Sequence, residues 1–346
     1  MTSTIDRAPL RLHYNENTAG CSPAALAALS SLSREDVGRY VDSADLNARV
    51  ARWFGVDAGS VQVTNGLDEG IQAVSMYGAW HLGAANQAPP DAIIVEPSFE
   101  VYEAAARAVG ARIVRLPPRA DFAFPLDLLL RSLTPATRVI YLTDPNNPTG
   151  LGIPAGAVET VLSAAPQALV LVDEAYADFS GRTLIGPLVE RFPNLVVGRT
   201  FAKGHGLAGL RIGALVARPD TVDRLRTVIL PFSVNSAAMT ALKAALDDRE
   251  YLAWYVAEAA SSRERVYEFC RRHRLTFWPS ETNFVLFRLG PDASTVARAL
   301  EARGIFVRDK SASPGCAGCI RLTAGVVAHT DRALSALEDI LASRSR

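Results

Sequence analysis

Short apolar runs rich in valine, isoleucine and leucine alternate with longer amphipathic segments between residues 46 and 216. Runs that are apolar throughout are typical of strands buried on both faces, and helices between them supply the crossovers of a parallel sheet. The pattern therefore predicts an α/β fold with a mostly parallel central sheet covered by helices. Strands are predicted at residues 60–63, 92–95, 112–116, 138–142, 168–172, 195–198 and 212–216, and helices at 46–54, 68–82, 99–109, 126–133 and 155–164.

The alternation changes after residue 236, where two consecutive helices are predicted before strands return. This change indicates a second, smaller α/β domain. We expect a large domain over residues 41–236, a small C-terminal domain over 237–346, and an irregular N-terminal arm over 1–40 that belongs in part to the small domain. The predicted helices outside the large domain are 24–32, 237–247, 251–273, 293–303 and 331–343, and the predicted strands are 282–288, 305–308 and 319–324.

The hydrophobic content and the charge balance of the chain argue against some classes of function. The 346 residues are 49% hydrophobic, which is enough for two cores, and 36 basic residues balance 36 acidic ones. A balanced charge gives no reason to expect a nucleic-acid or anionic-membrane partner. The first nine residues are polar, and no apolar run reaches the roughly 20 residues of a membrane span. The sequence predicts a soluble, cytoplasmic protein.

Four cysteines are too few and too unevenly spaced for a disulfide scaffold. Cys316 and Cys319 form a lone C-x-x-C that leads into a predicted strand. A zinc or redox site would need a second pair or a helix start, so we interpret these residues as structural thiols and predict no metal site.

Lysine is scarce, and one of the three lysines has unusual neighbours. Lysine occurs only at Lys203, Lys243 and Lys310, and Lys203 lies inside a loop of small residues. Small neighbours leave room for a planar ring, and a partly desolvated amine near other cations has a lowered pKa and can form Schiff bases. Arg211, eight residues later, suits a phosphate clamp.

Three further loops follow predicted strands at the edge where open α/β sheets bind ligands. Gly66 allows close backbone approach, and the N–H groups of Leu67 and Asp68 begin a helix that could bind an anion, although simple capping is the alternative. A proline-rich turn presents Asn147. Asp173 ends an apolar strand, where a carboxylate needs a partner such as a protonated pyridine nitrogen, a cap or a salt bridge.

Together these loops resemble fold-type I enzymes that depend on pyridoxal 5′-phosphate (PLP), in particular class I/II aminotransferases and, more narrowly, the histidinol-phosphate aminotransferases. The resemblance runs nearly from end to end. It is carried by residues 12–17, 39–40, 65–70, 97–99, 144–150, 173–176, 199–213, 282–284, 307–309 and 320–323.

The resemblance implies a catalytic set of Lys203, Asp173 and Tyr176. Lys203 is similar to the lysine that holds PLP as a Schiff base and moves the substrate proton. Asp173 resembles the carboxylate that keeps the pyridine nitrogen protonated. Asn147 and Tyr176 resemble the groups that bind the cofactor's phenolate oxygen, and Phe99 the ring that stacks on it.

The resemblance also implies a phosphate cup, a partner subunit and two small-molecule substrates, an amino acid and a 2-oxo acid. The cup consists of Gly66, Leu67, Asp68 and Arg211. Tyr40 resembles a tyrosine that reaches the cofactor of a neighbouring subunit, which implies a homodimer with shared active sites. The implied substrate residues are Arg321, Arg308, Asn17 and Tyr40.

Some positions depart from the family pattern. Ala202 replaces the usual hydroxyl residue and loses a contact to the cofactor phosphate worth about 1–3 kcal/mol. His205 stands where a bulky apolar residue is usual, and a space-filling role is the simpler interpretation. These departures keep open an aminotransferase for an aromatic or other amino acid, and a decarboxylase of the threonine-phosphate type. A PLP-binding regulator would need a longer N-terminal region, and a nicotinamide-binding dehydrogenase a G-x-G-x-x-G turn.

Overall fold

The computed structural model describes residues 9–81 and 89–344. The strands are β1 (Leu10–Leu12), β2 (Val61–Thr64), β3 (Asp91–Val95), β4 (Arg112–Leu116), β5 (Thr137–Thr143), β6 (Leu169–Asp173), β7 (Leu195–Thr200), β8 (Gly213–Ala217), β9 (Thr276–Phe277), β10 (Phe284–Arg288), β11 (Ile305–Asp309) and β12 (Cys319–Thr323). The polar start, residues 1–8, and the predicted helix end at Leu82 lie outside the described residues.

Fourteen helices are assigned within the described ranges. They are α1 (Pro23–Ser30), α2 (Arg34–Gly38), α3 (Ala44–Phe54), α4 (Gly66–His81), α5 (Glu100–Ala108), α6 (Leu126–Arg131), α7 (Ala157–Ala164), α8 (Ala177–Ser180), α9 (Pro187–Arg191), α10 (Pro219–Arg226), α11 (Ser236–Asp247), α12 (Arg249–Arg272), α13 (Ala293–Glu301) and α14 (Val327–Arg344). Each predicted strand and helix has a counterpart here, with ends that differ by a few residues.

The larger sheet has seven strands in the order β2-β8-β7-β6-β5-β3-β4. Only β8 runs antiparallel to its neighbours, so the carboxyl ends of the other six strands meet at one edge. The predicted α/β fold with a mostly parallel sheet is confirmed. Ligand-binding loops are expected at that edge.

The strands of this sheet are buried because alternate residues enter two separate cores. Along β6, Val170 and Val172 pack on one face of the sheet, against a core that includes α3, α7 and α11. Leu169 and Leu171 pack on the other face, against a core that includes α4, α5 and α10. This double cover explains why the strands are apolar throughout, and it holds their carboxyl ends in fixed positions.

The smaller sheet has five strands in the order β1-β11-β12-β10-β9 and packs against α12, α13 and α14. Strand β1 pairs in parallel with β11, with Leu10 opposite Ile305, although the sequence analysis treated this region as irregular. Three residues are too few to show a period, and the pairing partner lies far along the chain. Helix α11 packs in the core of the larger sheet, and the predicted domain boundary near residue 236 stays a prediction.

No helix within residues 9–81 and 89–344 has both the length and the apolar character that crossing a membrane requires.

Candidate active site

A cavity of about 260 Å³ opens at the carboxyl edge of the larger sheet, where the smaller sheet and the segment after β1 close over it. Among the residues that line it are ten of those predicted from the sequence: Leu67, Asp68, Phe99, Asn147, Asp173, Tyr176, Lys203, Arg211, Arg308 and Arg321. Gly66, Asn17 and Tyr40 do not line it. The structure therefore brings together residues that lie up to 254 positions apart in the chain, from Leu67 to Arg321.

Lys203 follows β7, and its Nζ donates a hydrogen bond of 2.9 Å to the carbonyl oxygen of Tyr14. Burial and the nearby Arg321 guanidinium lower the pKa of Lys203 to about 8. An amine with such a pKa is partly neutral near pH 7–8 and can act as a nucleophile or a base. The sequence analysis expected a lowered pKa at Lys203, and its catalytic role stays a prediction.

The small residues around Lys203 have a different use from the one expected. Ala202 lines the cavity, but Gly204 does not. A Cβ on Gly204 would lie 2.6 Å from Oδ2 of Asp178. A Cβ on Gly206, whose φ is +71°, would lie 2.0 Å from the carbonyl oxygen of Gly20. These glycines let neighbouring segments approach the lysine loop closely and so fix its position, instead of leaving room for a ring.

Asp173 ends β6 with its side chain buried and accepts two hydrogen bonds. The hydroxyl of Tyr102 donates to Oδ2 at 2.6 Å, and the backbone N–H of Ala175 donates to Oδ1 at 2.9 Å. Burial raises the pKa of Asp173 to about 6, against the effect of these two bonds. Within the described ranges, Asp173 forms no salt bridge. A buried carboxylate in this state is suited to a cationic N–H donor supplied by a ligand.

Tyr102 was missed by sequence reasoning. It lies on the buried face of α5, and its hydroxyl is also 2.9 Å from Oγ1 of Thr143. Its ring meets Phe99 edge to face, with 5.8 Å between the centroids. At helical spacing a buried tyrosine resembles any core residue, so only the direction of its hydroxyl reveals a role.

Asn17 was predicted to contact the substrate, but the structure places Asn15, which was not predicted, in the cavity instead. Nδ2 of Asn15, which lines the cavity, donates to the hydroxyl of Tyr176 at 3.0 Å. Nδ2 of Asn17 instead donates to the carbonyl oxygen of Gly204 at 3.0 Å, behind the lysine loop. The structure therefore places Asn15 in the cavity, while Asn17 holds the loop that carries Lys203.

Arg321 closes the cavity from the smaller sheet. Its guanidinium donates to the side-chain oxygen of Asn147 and to the carbonyl oxygen of His13, the latter at 2.7 Å. The guanidinium carbon also lies 5.2 Å from the centroid of the Phe284 ring. These contacts hold a buried cation in one orientation, as the recognition of a carboxylate or phosphate requires.

The start of α4 and Arg211 form one end of the cavity. Gly66 has φ +70°, and a Cβ there would lie 2.7 Å from Nη2 of Arg211. The guanidinium of Arg211 also pairs with Asp68 at 2.7 Å. Leu67 belongs to the apolar core under α4, so its bulky side chain does not fill the anion site. A helix start beside an arginine is suited to a phosphate.

Two other residues singled out in the sequence analysis, Tyr40 and His205, lie away from the cavity. Tyr40 is 86% exposed, and its ring is 5.0 Å from that of Phe232. The ring of His205 is buried, its nitrogens have no hydrogen-bond partner within the described part of the chain, and it packs against Trp53 and Phe201. Burial also lowers the pKa of His205. Its surroundings agree with a space-filling role.

Cys316 and Cys319 are free and buried. Burial is the main cause that raises the pKa of the Cys316 thiol to about 12, and it also raises the pKa of Cys319. Both thiols stay protonated at neutral pH, as expected of structural residues.

The residues present fit PLP. The cavity combines an amine of lowered pKa, a buried carboxylate without a cationic partner among the described residues, and the Arg211 guanidinium, which lies so close to the start of α4 that only a glycine fits at residue 66. Lys203, Asp173 and Arg211 are the residues that would hold the cofactor's aldehyde carbon, ring nitrogen and phosphate.

Comparisons with known proteins agree. The family model for aminotransferase class I and II matches residues 8–337. The chain is 36% identical to histidinol-phosphate aminotransferase 1 of Thiobacillus denitrificans, covering 96% of this chain and 86% of that protein. It is 35% identical to histidinol-phosphate aminotransferase 2 of Ralstonia nicotianae, with 96% and 89% covered.

Among solved structures, the histidinol-phosphate aminotransferase of Sinorhizobium meliloti in complex with pyridoxal 5′-phosphate superposes with a TM-score of 0.83. It is 28% identical, and the match covers 97% of this chain and 91% of that one. The predictions of PLP fold type I and of PLP as the cofactor are confirmed. The chain therefore belongs to the class I and II aminotransferases and is a PLP-dependent enzyme that acts on amino acids and 2-oxo acids.

Proposed function

We propose that this aminotransferase acts on histidinol phosphate, with 2-oxoglutarate as the acceptor, in histidine biosynthesis. One observation carries the proposal: the cavity that Lys203 lines has two cationic ends. Arg211 and the start of α4 form one end, and Arg308 and Arg321 form the other. The first end suits the cofactor phosphate, so the second is available to a substrate that has an anionic group of its own. The names of the relatives that are 35–36% identical favour the same substrate.

We assign the chemistry at the substrate Cα to Lys203 and Asp173. PLP, when bound, supplies an electron sink for the pair released at that carbon. The neutral Nζ of Lys203 takes the Cα proton, which its lowered pKa permits. Asp173 would accept a hydrogen bond from the ring N–H, and Tyr102 keeps its carboxylate oriented. A cation beside Asp173 would lower the pKa of the carboxyl again, so that Asp173 is ionised at neutral pH and becomes protonated only in acid.

We assign the remaining cofactor contacts as the sequence analysis did. Asn147 and Tyr176 bind the phenolate oxygen, with Asn15 fixing the Tyr176 hydroxyl. Phe99 stacks on the ring. The phosphate is held by the backbone at Gly66, Leu67 and Asp68 together with the guanidinium of Arg211.

We further propose a homodimer in which Tyr40 reaches the active site of the partner subunit. Tyr40, Val37, Leu230 and Phe232 are large apolar or aromatic side chains with exposures of 86%, 70%, 73% and 57%. Exposed groups of this kind are typical of subunit interfaces. A cytoplasmic location is also proposed, because all four cysteines are free thiols, as in reducing compartments.

The substrate is tested by incubating the holoenzyme with 2-oxoglutarate and, separately, histidinol phosphate, phenylalanine, tyrosine or leucine, and measuring the glutamate formed. Histidinol phosphate should be preferred. Equal rates on all four donors would refute the role of the second cationic end, and carbon dioxide release from threonine phosphate without glutamate would identify a decarboxylase. Lys203→Ala should abolish both turnover and the visible absorption band of the bound cofactor.

A further inference from the structure

Three cations share one face of the smaller sheet where it closes the cavity. Arg308 on β11 and Arg321 on β12 are directly opposite each other in the strand register. Lys310 comes two positions after Arg308, and its backbone N–H continues the ladder by donating to Cys319 at 2.9 Å. Alternate residues of a strand point to the same side, and all three side chains line the cavity. Like charges that face each other in this way destabilise a sheet unless an anion joins them.

The anions that the described residues provide do not balance these cations. Glu100 is 3.6 Å from the Arg308 guanidinium and 3.7 Å from Nζ of Lys310, but its own side chain is 69% exposed. Two N–H groups of the Arg321 guanidinium already donate to the side-chain oxygen of Asn147 and the carbonyl oxygen of His13. Glu96 also attracts Lys310, but it is shared with Arg115 at 3.9 Å, so the three cations keep an excess of positive charge.

Lys310 is the least expected of the three. Its side chain is only 7% exposed, and its Nζ donates no hydrogen bond within residues 9–81 and 89–344. Burial and the neighbouring Arg321 lower the pKa of Lys310. An ammonium group in such a place is disfavoured unless an anion comes to it. A purely structural lysine would direct its charge to open water instead.

We propose that Lys310 is a specificity-determining residue that binds, together with Arg308, the terminal anionic group of the substrate. The inference rests on the proposed function. It specifies the charge of the substrate group that binds at the end of the cavity formed by Arg308 and Arg321. A phosphate dianion compensates this excess of positive charge more fully than a single carboxylate does. Lys310 therefore favours a phosphorylated donor over an amino acid that ends in a carboxylate.

The test compares Lys310→Gln with Lys310→Arg, which keeps the charge, and with Lys243→Gln as a matched control. Lys243 lies outside the cavity and pairs with Asp45. Loss of a hydrogen bond between charged groups should raise KM for histidinol phosphate in Lys310→Gln by about tenfold to a hundredfold, with kcat changed less than about threefold. The fold increase in KM for glutamate should be less than a quarter of the fold increase in KM for histidinol phosphate. Lys310→Arg should recover most of the affinity, and Lys243→Gln should match the wild type.

Equal losses on histidinol phosphate and glutamate, or a KM within twofold of wild type, would overturn the inference. A lower melting temperature with unchanged KM values for both substrates would assign Lys310 a structural role and also overturn it. These outcomes leave the proposed function standing if the wild type still prefers histidinol phosphate.

Inorganic phosphate separates the two proposals. In the holoenzyme the cofactor occupies the Arg211 end, so phosphate that competes with glutamate must bind elsewhere in the cavity. We expect the inhibition constant to rise at least about fivefold in Lys310→Gln. If the wild type does not accept histidinol phosphate but phosphate inhibition still depends on Lys310, the proposed function fails and the anion site stands. If phosphate inhibits Lys310→Gln and wild type equally, the inference fails whatever the substrate is.

Discussion

Removing the Tyr102 hydroxyl should change the pH dependence of the enzyme without removing any group that touches the substrate. In the structure this hydroxyl donates a 2.6 Å hydrogen bond to Oδ2 of Asp173. The bond lowers the pKa of Asp173, because it stabilises the charged form of a carboxyl that burial would otherwise hold neutral. Tyr102→Phe keeps the ring and its packing and deletes only the donor.

The size of the effect follows from the kind of bond. A hydrogen bond to a charged group contributes about 1.5–3 kcal/mol, and about 1.4 kcal/mol corresponds to one pKa unit. Tyr102→Phe should therefore raise the pKa of Asp173 by about 1 to 2 units. A protonated Asp173 cannot keep a pyridine nitrogen protonated, so activity is lost on the acidic side. The acidic limb of the rate profile should move to higher pH, while activity above that limb is largely retained.

The assay is kcat/KM for glutamate measured from pH 5 to pH 9. Tyr141→Phe is the matched control: its hydroxyl bonds to Ser75 at 2.6 Å, and its ring stacks on Tyr102 at 5.2 Å, but it does not bond to Asp173. An acidic limb that stays in place in Tyr102→Phe, or that moves equally in Tyr141→Phe, would refute the assignment of Tyr102 as the residue that sets the charge of Asp173.

Three other predictions concern the cofactor site. Gly66→Ala should weaken PLP binding by about tenfold or more in an absorbance titration, because the new Cβ would lie 2.7 Å from the Arg211 guanidinium at a residue with φ +70°. Gly209→Ala is the control and should bind PLP normally, because no atom lies within 4 Å of its new Cβ. Ala202→Ser should lower the dissociation constant of PLP, by about tenfold for a hydrogen bond to a charged phosphate, and an unchanged constant would place residue 202 out of reach of that phosphate. In the cofactor-free enzyme, the rate at which Lys203 captures pyridoxal should increase with pH up to about 8 and level off above it. The rate is measured by borohydride reduction of the adduct. A rate that still increases at pH 10 would contradict the lowered pKa.

Much of the site could be predicted because its parts lie at strand ends. Asp173 ends β6, Asn147 follows β5, and Lys203 follows β7. Apolar runs reveal parallel strands, and parallel strands that are neighbours in a sheet bring their carboxyl ends together. The order of elements along the chain thus determines which loops meet, without any knowledge of side-chain direction.

The missed residues depend on direction and on long-range pairing. Asn15 and Asn17 have the same chemistry in one short motif, and only the backbone path decides which of them enters the cavity. Tyr102 and Asp173 are 71 positions apart, and no period of the sequence encodes the bond between them. Lys310 lies just beyond β11, and its importance follows from the register that sets Arg308 against Arg321.

The parallel pairing of β1 with β11 has a consequence for the order in which the enzyme is assembled. Leu10 lies opposite Ile305, so a segment that leaves the ribosome before the larger sheet pairs with one that leaves it after that sheet. The segment after β1 supplies the carbonyl oxygens that accept hydrogen bonds from Lys203 and Arg321. A nascent chain that has released all seven strands of the larger sheet still lacks the partner that fixes this segment. Contacts of such long sequence separation form late, so the cofactor cavity is closed only after β11 has been synthesised.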